Sequence, residues 1–102
     1  MIVAISKIQV TNGNAQALAD QYAKRTGLVD EMPGFVSVEV LRNCGNPDEF
    51  LVYMRWENRE AFQAYKTSPA FREAHRNVAH IPGGVKIDRK TRELSIYETV
   101  TS

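Results

Sequence analysis

The sequence has one cysteine among its 102 residues and no apolar run close to the length of a membrane-spanning helix. The single thiol of Cys44 excludes an internal disulfide and is typical of a reducing compartment. Cys44 lies in a turn with no histidine near it in sequence, which favours a loop residue over a nucleophile. The first ten residues alternate in polarity and include Lys7, so we expect no signal peptide. Together these features predict a cytoplasmic protein.

The sequence also lacks a strong excess of either charge. Its 13 basic and 12 acidic residues give a net charge of +1, so electrostatics give no reason to expect a nucleic acid or an acidic membrane as a partner. The 43% apolar and 25% charged fractions exclude disordered and collagen-like classes. One local basic cluster, interrupted by acidic residues, is interpreted as a solvated connection and not a binding patch; it comprises Lys86, Arg89, Lys90 and Arg92.

Hydrophobic periodicity predicts the element order β-α-β-β-α-β in a single domain spanning residues 1–102. The predicted strands are residues 2–10, 35–42, 49–56 and 93–100. A first helix begins after Asn14 and runs to about Asp30, and a second helix, capped by Asn58, is split at Ser68-Pro69. This order is typical of the ferredoxin-like split βαβ fold, an α+β architecture in which an antiparallel sheet carries its helices on one face.

Strands one to three carry apolar residues on both faces, although the helices can cover only one. The residues expected on the uncovered face are Val3, Ile5, Val36, Val38, Val40, Leu51 and Tyr53. Burying five such side chains at about 1.5 kcal/mol each supplies roughly 7 kcal/mol of gross driving force. The sequence therefore predicts a homodimer with sheet packed on sheet.

The last helix begins firmly, because Ser68 is a good N-cap and Pro69 suits the first helical position. From there an apolar stripe recurs at helical spacing and includes an imidazole: Phe71, Ala74, His75 and Val78. Further side chains face the same predicted interior, namely Ser6, Tyr22, Arg25, Val52, Phe62 and Tyr65. Such an aromatic pocket suits a flat apolar cofactor with anionic edges, and haem fits this description because histidine is a common axial ligand and arginine pairs well with carboxylates.

Periodicity alone leaves a second interpretation of His75 open. A lone histidine on an apolar face is more often a core residue bonded to a backbone carbonyl. His80 is out of phase with His75 on the helix, and no carboxylate or thiol completes a metal site with the pair.

Four stretches carry a family resemblance: Met32-Pro33-Gly34-Phe35, Arg55-Trp56-Glu57, Ala61-Phe62-Gln63-Ala64-Tyr65, and Ser68-Pro69-Ala70-Phe71-Arg72-Glu73-Ala74-His75. In these the chain resembles the antibiotic biosynthesis monooxygenase (ABM) superfamily of dimeric α+β barrels, and within it the Isd-type haem-degrading monooxygenases. The resemblance implies a haem-degrading monooxygenase with His75 as the axial iron ligand and Arg25 near the haem propionates. It also implies O₂ as oxidant, a reductase as external electron donor, and iron with a ring-opened tetrapyrrole as products.

Two positions depart from the resembled family. Ser6 stands where the family has an asparagine, and Tyr65 stands where it has a tryptophan that distorts the porphyrin. We expect Ser6 and Tyr65 to be catalytic positions with His75, and the porphyrin to be less distorted.

Two other functions stay open at this point. A cofactor-independent ABM monooxygenase would use His75 or Tyr65 as a general base on an aromatic quinol. A non-catalytic dimeric domain would use neither, since fold does not settle function.

Overall fold

The computed structural model describes residues 1–24 and 27–101, and its centre is a four-stranded antiparallel sheet. The strands are β1 (Ile2–Gln9), β2 (Phe35–Asn43), β3 (Asn46–Trp56) and β4 (Glu93–Glu98), in the order β2-β3-β1-β4. The helices are α1 (Ala15–Ala23), α2 (Arg59–Lys66) and α3 (Pro69–Ala79), with a short 3-10 helix at Leu28–Glu31. The ferredoxin-like α+β fold predicted from the sequence is confirmed. No helix in the described ranges has the length and apolar character needed to cross a bilayer.

Side-chain caps begin α2 and α3 where the sequence predicts them. The Asn58 side chain accepts a hydrogen bond from the backbone N–H of Ala61 at 2.8 Å. Ser68 Oγ accepts one from the Phe71 N–H at 3.2 Å and donates one to the Tyr65 carbonyl at 2.6 Å. Because Ser68 is buried, its hydroxyl joins the end of α2 to the start of α3 and fixes the turn between them.

The first helix is shorter than predicted. It ends at Ala23, and Gly27 has a φ of +77°, in the left-handed region that interrupts a helix. The backbone then forms the 3-10 helix, so the expectation of one helix to about Asp30 is wrong.

The start of α1 also differs from the prediction, because Asn14 makes no side-chain cap. Its amide group donates instead to the carbonyls of Pro82 at 3.3 Å and Gly84 at 2.6 Å. The first residue before α1 is therefore tied to the turn that follows α3.

Two valines of β2 lie on the opposite face of the sheet from the one predicted. A register shift between Phe35 and Ser37 places Phe35 opposite Trp56 and Val38 opposite Met54, two residues on the same face of β3. Val38 and Val40 therefore face the helices, and the expectation that they lie on the uncovered face is wrong. Val3 does lie on the uncovered face, but it is buried within the single chain.

The apolar core consists of two clusters at opposite ends of the sheet. One surrounds Trp56 and contains Ile2, Ala4, Met54, Phe62 and Tyr65. The other surrounds Leu18 and contains Ile8, Val10, Ala15, Phe50 and Ile81. Along β1 the helix-facing residue between the two clusters is Ser6. The two clusters leave the middle of the sheet uncovered by core side chains at this point.

Candidate functional site

A cavity of about 300 Å³ lies above the middle of the sheet. Its floor is formed by helix-facing residues of the strands, including Ser6 and the neighbours that pair with it, Val52 and Leu94. Helices α1, α2 and α3 form its walls, and it is open to solvent on one side. The cavity thus occupies the gap between the two core clusters.

The structure brings most of the predicted site residues to this one cavity. The following line it: Ser6, Tyr22, Val52, Phe62, Tyr65, Phe71 and His75. The other predicted site residue, Arg25, lies outside the described residues. All four residues of the predicted α3 stripe, including Ala74 and Val78, border the cavity as well.

His75 is exposed, and its ring borders the cavity. The ring atom Nδ1 lies 3.0 Å from the Phe71 carbonyl oxygen, one helical turn earlier. A carbonyl can only accept, so Nδ1 carries the proton in this contact, and the neutral ring then has its lone pair on Nε2. No described residue hydrogen-bonds to Nε2. The bond to a backbone carbonyl that the second interpretation of His75 predicts is present, but the side chain is exposed and is therefore not part of the core.

Contacts between rings hold the aromatic wall in place. The His75 ring lies 4.1 Å from the Phe71 ring, and Phe71 meets Tyr65 edge to face at 5.3 Å. Tyr65 in turn packs on the fully buried Trp56 at 5.2 Å with an interplanar angle of 30°. A series of ring contacts therefore connects the exposed imidazole to the core, and the buried Ser68 fixes the backbone between its members.

Tyr22 projects from α1 and packs on Phe50 at 6.2 Å. Burial raises the pKa of its phenol to about 12, while the positive charge of Arg92 lowers it and interaction with Tyr65 raises it. The phenol is therefore neutral at physiological pH and keeps its proton for donation to a ligand.

Two cations that the sequence pattern does not assign to the site border the cavity. Arg92 is exposed, as expected for a solvated connection, and it also borders the cavity. Lys66 also borders the cavity, with Nζ 5.7 Å from the centre of the Phe62 ring. Arg92 precedes the last strand in a segment without periodicity, so no sequence pattern indicated the direction of its side chain.

A single ring nitrogen is the strongest metal-ligating group of the cavity. Within residues 1–24 and 27–101, no group of three or more His, Cys, Asp and Glu side chains could hold a bare ion. The bond from His75 Nδ1 to the Phe71 carbonyl is of a kind common among metal-ligating histidines, which usually donate their other ring N–H to a carbonyl or carboxylate.

Comparison with known proteins identifies the family of this chain. The family described as antibiotic biosynthesis monooxygenase matches residues 1–77, a span that includes β1 to β3 and His75. The chain belongs to the ABM family. A curated relative of this ABM chain, the heme-degrading monooxygenase of Bacillus thuringiensis (strain Al Hakam), is 38% identical over 100 residues, covering 96% of this chain and 89% of the relative. The family resemblance predicted from the sequence is confirmed, and the relatives support the predicted enzyme class, a haem-degrading monooxygenase.

Solved structures of other ABM-like chains share the fold over its whole length. The heme-degrader MhuD from Mycobacterium tuberculosis, solved with two hemes bound in its active site, is 28% identical and superposes with a TM-score of 0.77, covering 100% of this chain and 98% of MhuD. SnoaB from Streptomyces nogalater, a cofactor-independent oxygenase, is 16% identical with a TM-score of 0.74, covering 99% and 94%. At that identity the likeness to SnoaB shows the fold alone.

Proposed function

We propose that this ABM chain is a haem-degrading monooxygenase that opens the porphyrin ring and releases iron, with His75 as the axial ligand. The observation that carries this proposal is the state of the imidazole. His75 borders the cavity, its Nδ1 is held by the Phe71 carbonyl, and its Nε2 has no hydrogen-bond partner among the described residues. The haem-degrading activity named for the curated relative supports the same substrate.

The residues of the cavity fit haem as a bound group. Its walls are mainly aliphatic and aromatic, which suits a flat porphyrin, and a neutral histidine is a common axial ligand of haem iron. The volume of about 300 Å³ lies at the lower limit for a cofactor site, since such sites usually have about 300 to 1,000 Å³. Since the cavity is open on one side, the edge of a larger ring would extend into solvent or require α1 to move outward.

Haem, when bound, supplies the iron and the oxidisable ring, while O₂ and electrons from a reductase come from outside. The chain supplies orientation and a mainly apolar site. His75 keeps its ligating nitrogen aimed by the bond to the Phe71 carbonyl. Ser6 presents a hydroxyl from the floor, and no described group hydrogen-bonds to it. Tyr65 presents a ring held against Trp56; being smaller than an indole, it would press less on a bound porphyrin.

The proposal also includes a homodimer through the uncovered face of the sheet. Apolar side chains remain on that face after the correction for Val38 and Val40, namely Ile5, Leu41, Leu51, Tyr53 and Tyr97. Leu41 and Tyr97 are 41% and 56% exposed, so the face is apolar and accessible to a second copy.

Titration with hemin tests the assignment of His75. The parent should show a Soret shift that saturates at one haem per subunit, and His75→Ala should abolish it. His80→Ala is the matched control, because His80 is an exposed histidine at the end of the same helix that does not border the cavity. If His75→Ala binds hemin as strongly as the parent, the assignment of His75 as the axial ligand is refuted.

Turnover needs a separate measurement. Aerobic incubation of the haem complex with ascorbate should bleach the Soret band and release iron that a chelator detects. A stable Soret band under these conditions would show that the protein binds haem without degrading it. If the parent binds no hemin, oxygen uptake on an anthrone- or quinol-like substrate would favour the cofactor-independent reaction, with His75 or Tyr65 as base.

A further inference from the structure

The segment before β4 places a cation beside the cavity. β4 pairs with β1 through Leu94 opposite Ser6 and Glu93 opposite Lys7, and this ladder ends at Glu93. The position two before Leu94 lies just outside this ladder. Arg92 occupies this position and borders the cavity.

The guanidinium of Arg92 is available for a ligand. Among the described residues it has no ion-pair or hydrogen-bond partner. Glu93 borders the cavity too, but its place opposite Lys7 directs its side chain to the other face of the sheet. Lys66, the other cation of the cavity among the described residues, lies against the Phe62 ring.

A second donor borders the same cavity. Tyr22 and Arg92 both line it, and the positive charge of Arg92 lowers the pKa of the Tyr22 phenol against the larger effect of burial. The phenol stays protonated, so the pair offers a positive charge and a neutral O–H to the same region. A carboxylate is the group that accepts from both, and charge-assisted bonds of this kind are the stronger class of hydrogen bond.

We propose that Arg92 and Tyr22 form a carboxylate subsite at the rim of the cavity, which receives one propionate of the haem. This inference rests on the proposed function. The subsite would orient the porphyrin about the His75 axis, because a propionate turned into the apolar walls would be left without a partner at a large free-energy cost. Arg92 is thus a positioning residue, distinct from the ligand of the iron.

The test pairs two ligands with matched variants. Ferric protoporphyrin IX and its dimethyl ester, in which both carboxylates are capped, are titrated by Soret absorbance into the parent, Arg92→Gln, Arg92→Lys and Tyr22→Phe. Arg89→Gln is the control, since Arg89 is an exposed arginine of the same connection that does not border the cavity. Circular dichroism verifies that each variant is folded.

Arg92→Gln should weaken binding of the free acid by roughly threefold to tenfold, the range for a partly exposed charge-assisted contact. It should leave the affinity for the dimethyl ester unchanged, and Arg92→Lys should recover part of the loss. Tyr22→Phe should show a smaller loss with the same ligand dependence.

Two results would overturn the subsite. If Arg92→Gln changes the affinity for both ligands equally, or for neither, while the parent still binds hemin through His75, the subsite is refuted and the proposed function stands. If the parent binds no hemin at all, the proposed function fails and the subsite fails with it.

Discussion

Replacing Tyr22 with phenylalanine should reduce the loss of stability that the parent undergoes at alkaline pH. Burial raises the pKa of this phenol from 10.0 to about 12. In the unfolded chain the phenol ionises near its ordinary pKa, so between the two values the folded state holds a proton that the unfolded state has lost. The free energy of unfolding therefore falls as the pH rises through this window, and the contribution is complete below it. A shift of this size corresponds to roughly 2 to 3 kcal/mol at most.

Urea unfolding between about pH 9 and about pH 11.5 measures this effect as the difference between parent and Tyr22→Phe. The difference in the free energy of unfolding should be constant below about pH 10 and should change in favour of the variant above it. Lysines and other tyrosines titrate in both proteins, so their effect cancels in this difference. Tyr97→Phe is the control, since Tyr97 lies on the other face of the sheet, in the proposed dimer interface and away from the cavity. Parallel stability curves for parent and Tyr22→Phe would show that the phenol is not desolvated.

Three further predictions concern the scaffold. Gly34→Ala should destabilise by roughly 2 to 5 kcal/mol in thermal or urea unfolding, because φ is +81° and the new Cβ would lie 2.5 Å from the Ala61 Cβ; Gly13→Ala, with φ of +74° and no atom within 4 Å, should lose only about 1 to 2 kcal/mol. Ser68→Ala should cost about 1 kcal/mol or more in the same assay, since it removes a cap and the bond to the Tyr65 carbonyl. Sedimentation at micromolar concentration should show a dimer that Leu41→Lys weakens, and a monomeric parent would contradict the proposed interface.

The parts of the site that follow strict periodicity could be predicted from the sequence. Alternation along β1 places Ser6 on the helix side, and the 3.6-residue period of α3 places Phe71 and His75 on one stripe. The structure agrees with both placements, because neither β1 nor α3 contains a bulge or a left-handed residue. The cap at Ser68 was equally predictable, since its preference arises from local hydrogen bonding alone.

The remaining features depend on interactions distant in sequence. Asn14 has the residue type of a cap, but its amide bonds carbonyls some 70 residues away. The irregularity after Phe35 reverses the face of Val38 relative to simple alternation from that residue. Arg92 faces the cavity because β4 pairs with β1, a long-range contact that no local pattern contains.

The bond between Asn14 and the Pro82–Gly84 turn has a consequence for how the cavity admits a ligand. It anchors the first helix at its N-terminal end, where Ala15 is also buried. Entry of a broad, flat molecule would then displace the Tyr22 end of this helix more than the Ala15 end. The phenol would move with the ligand, while His75 on α3 would stay in place.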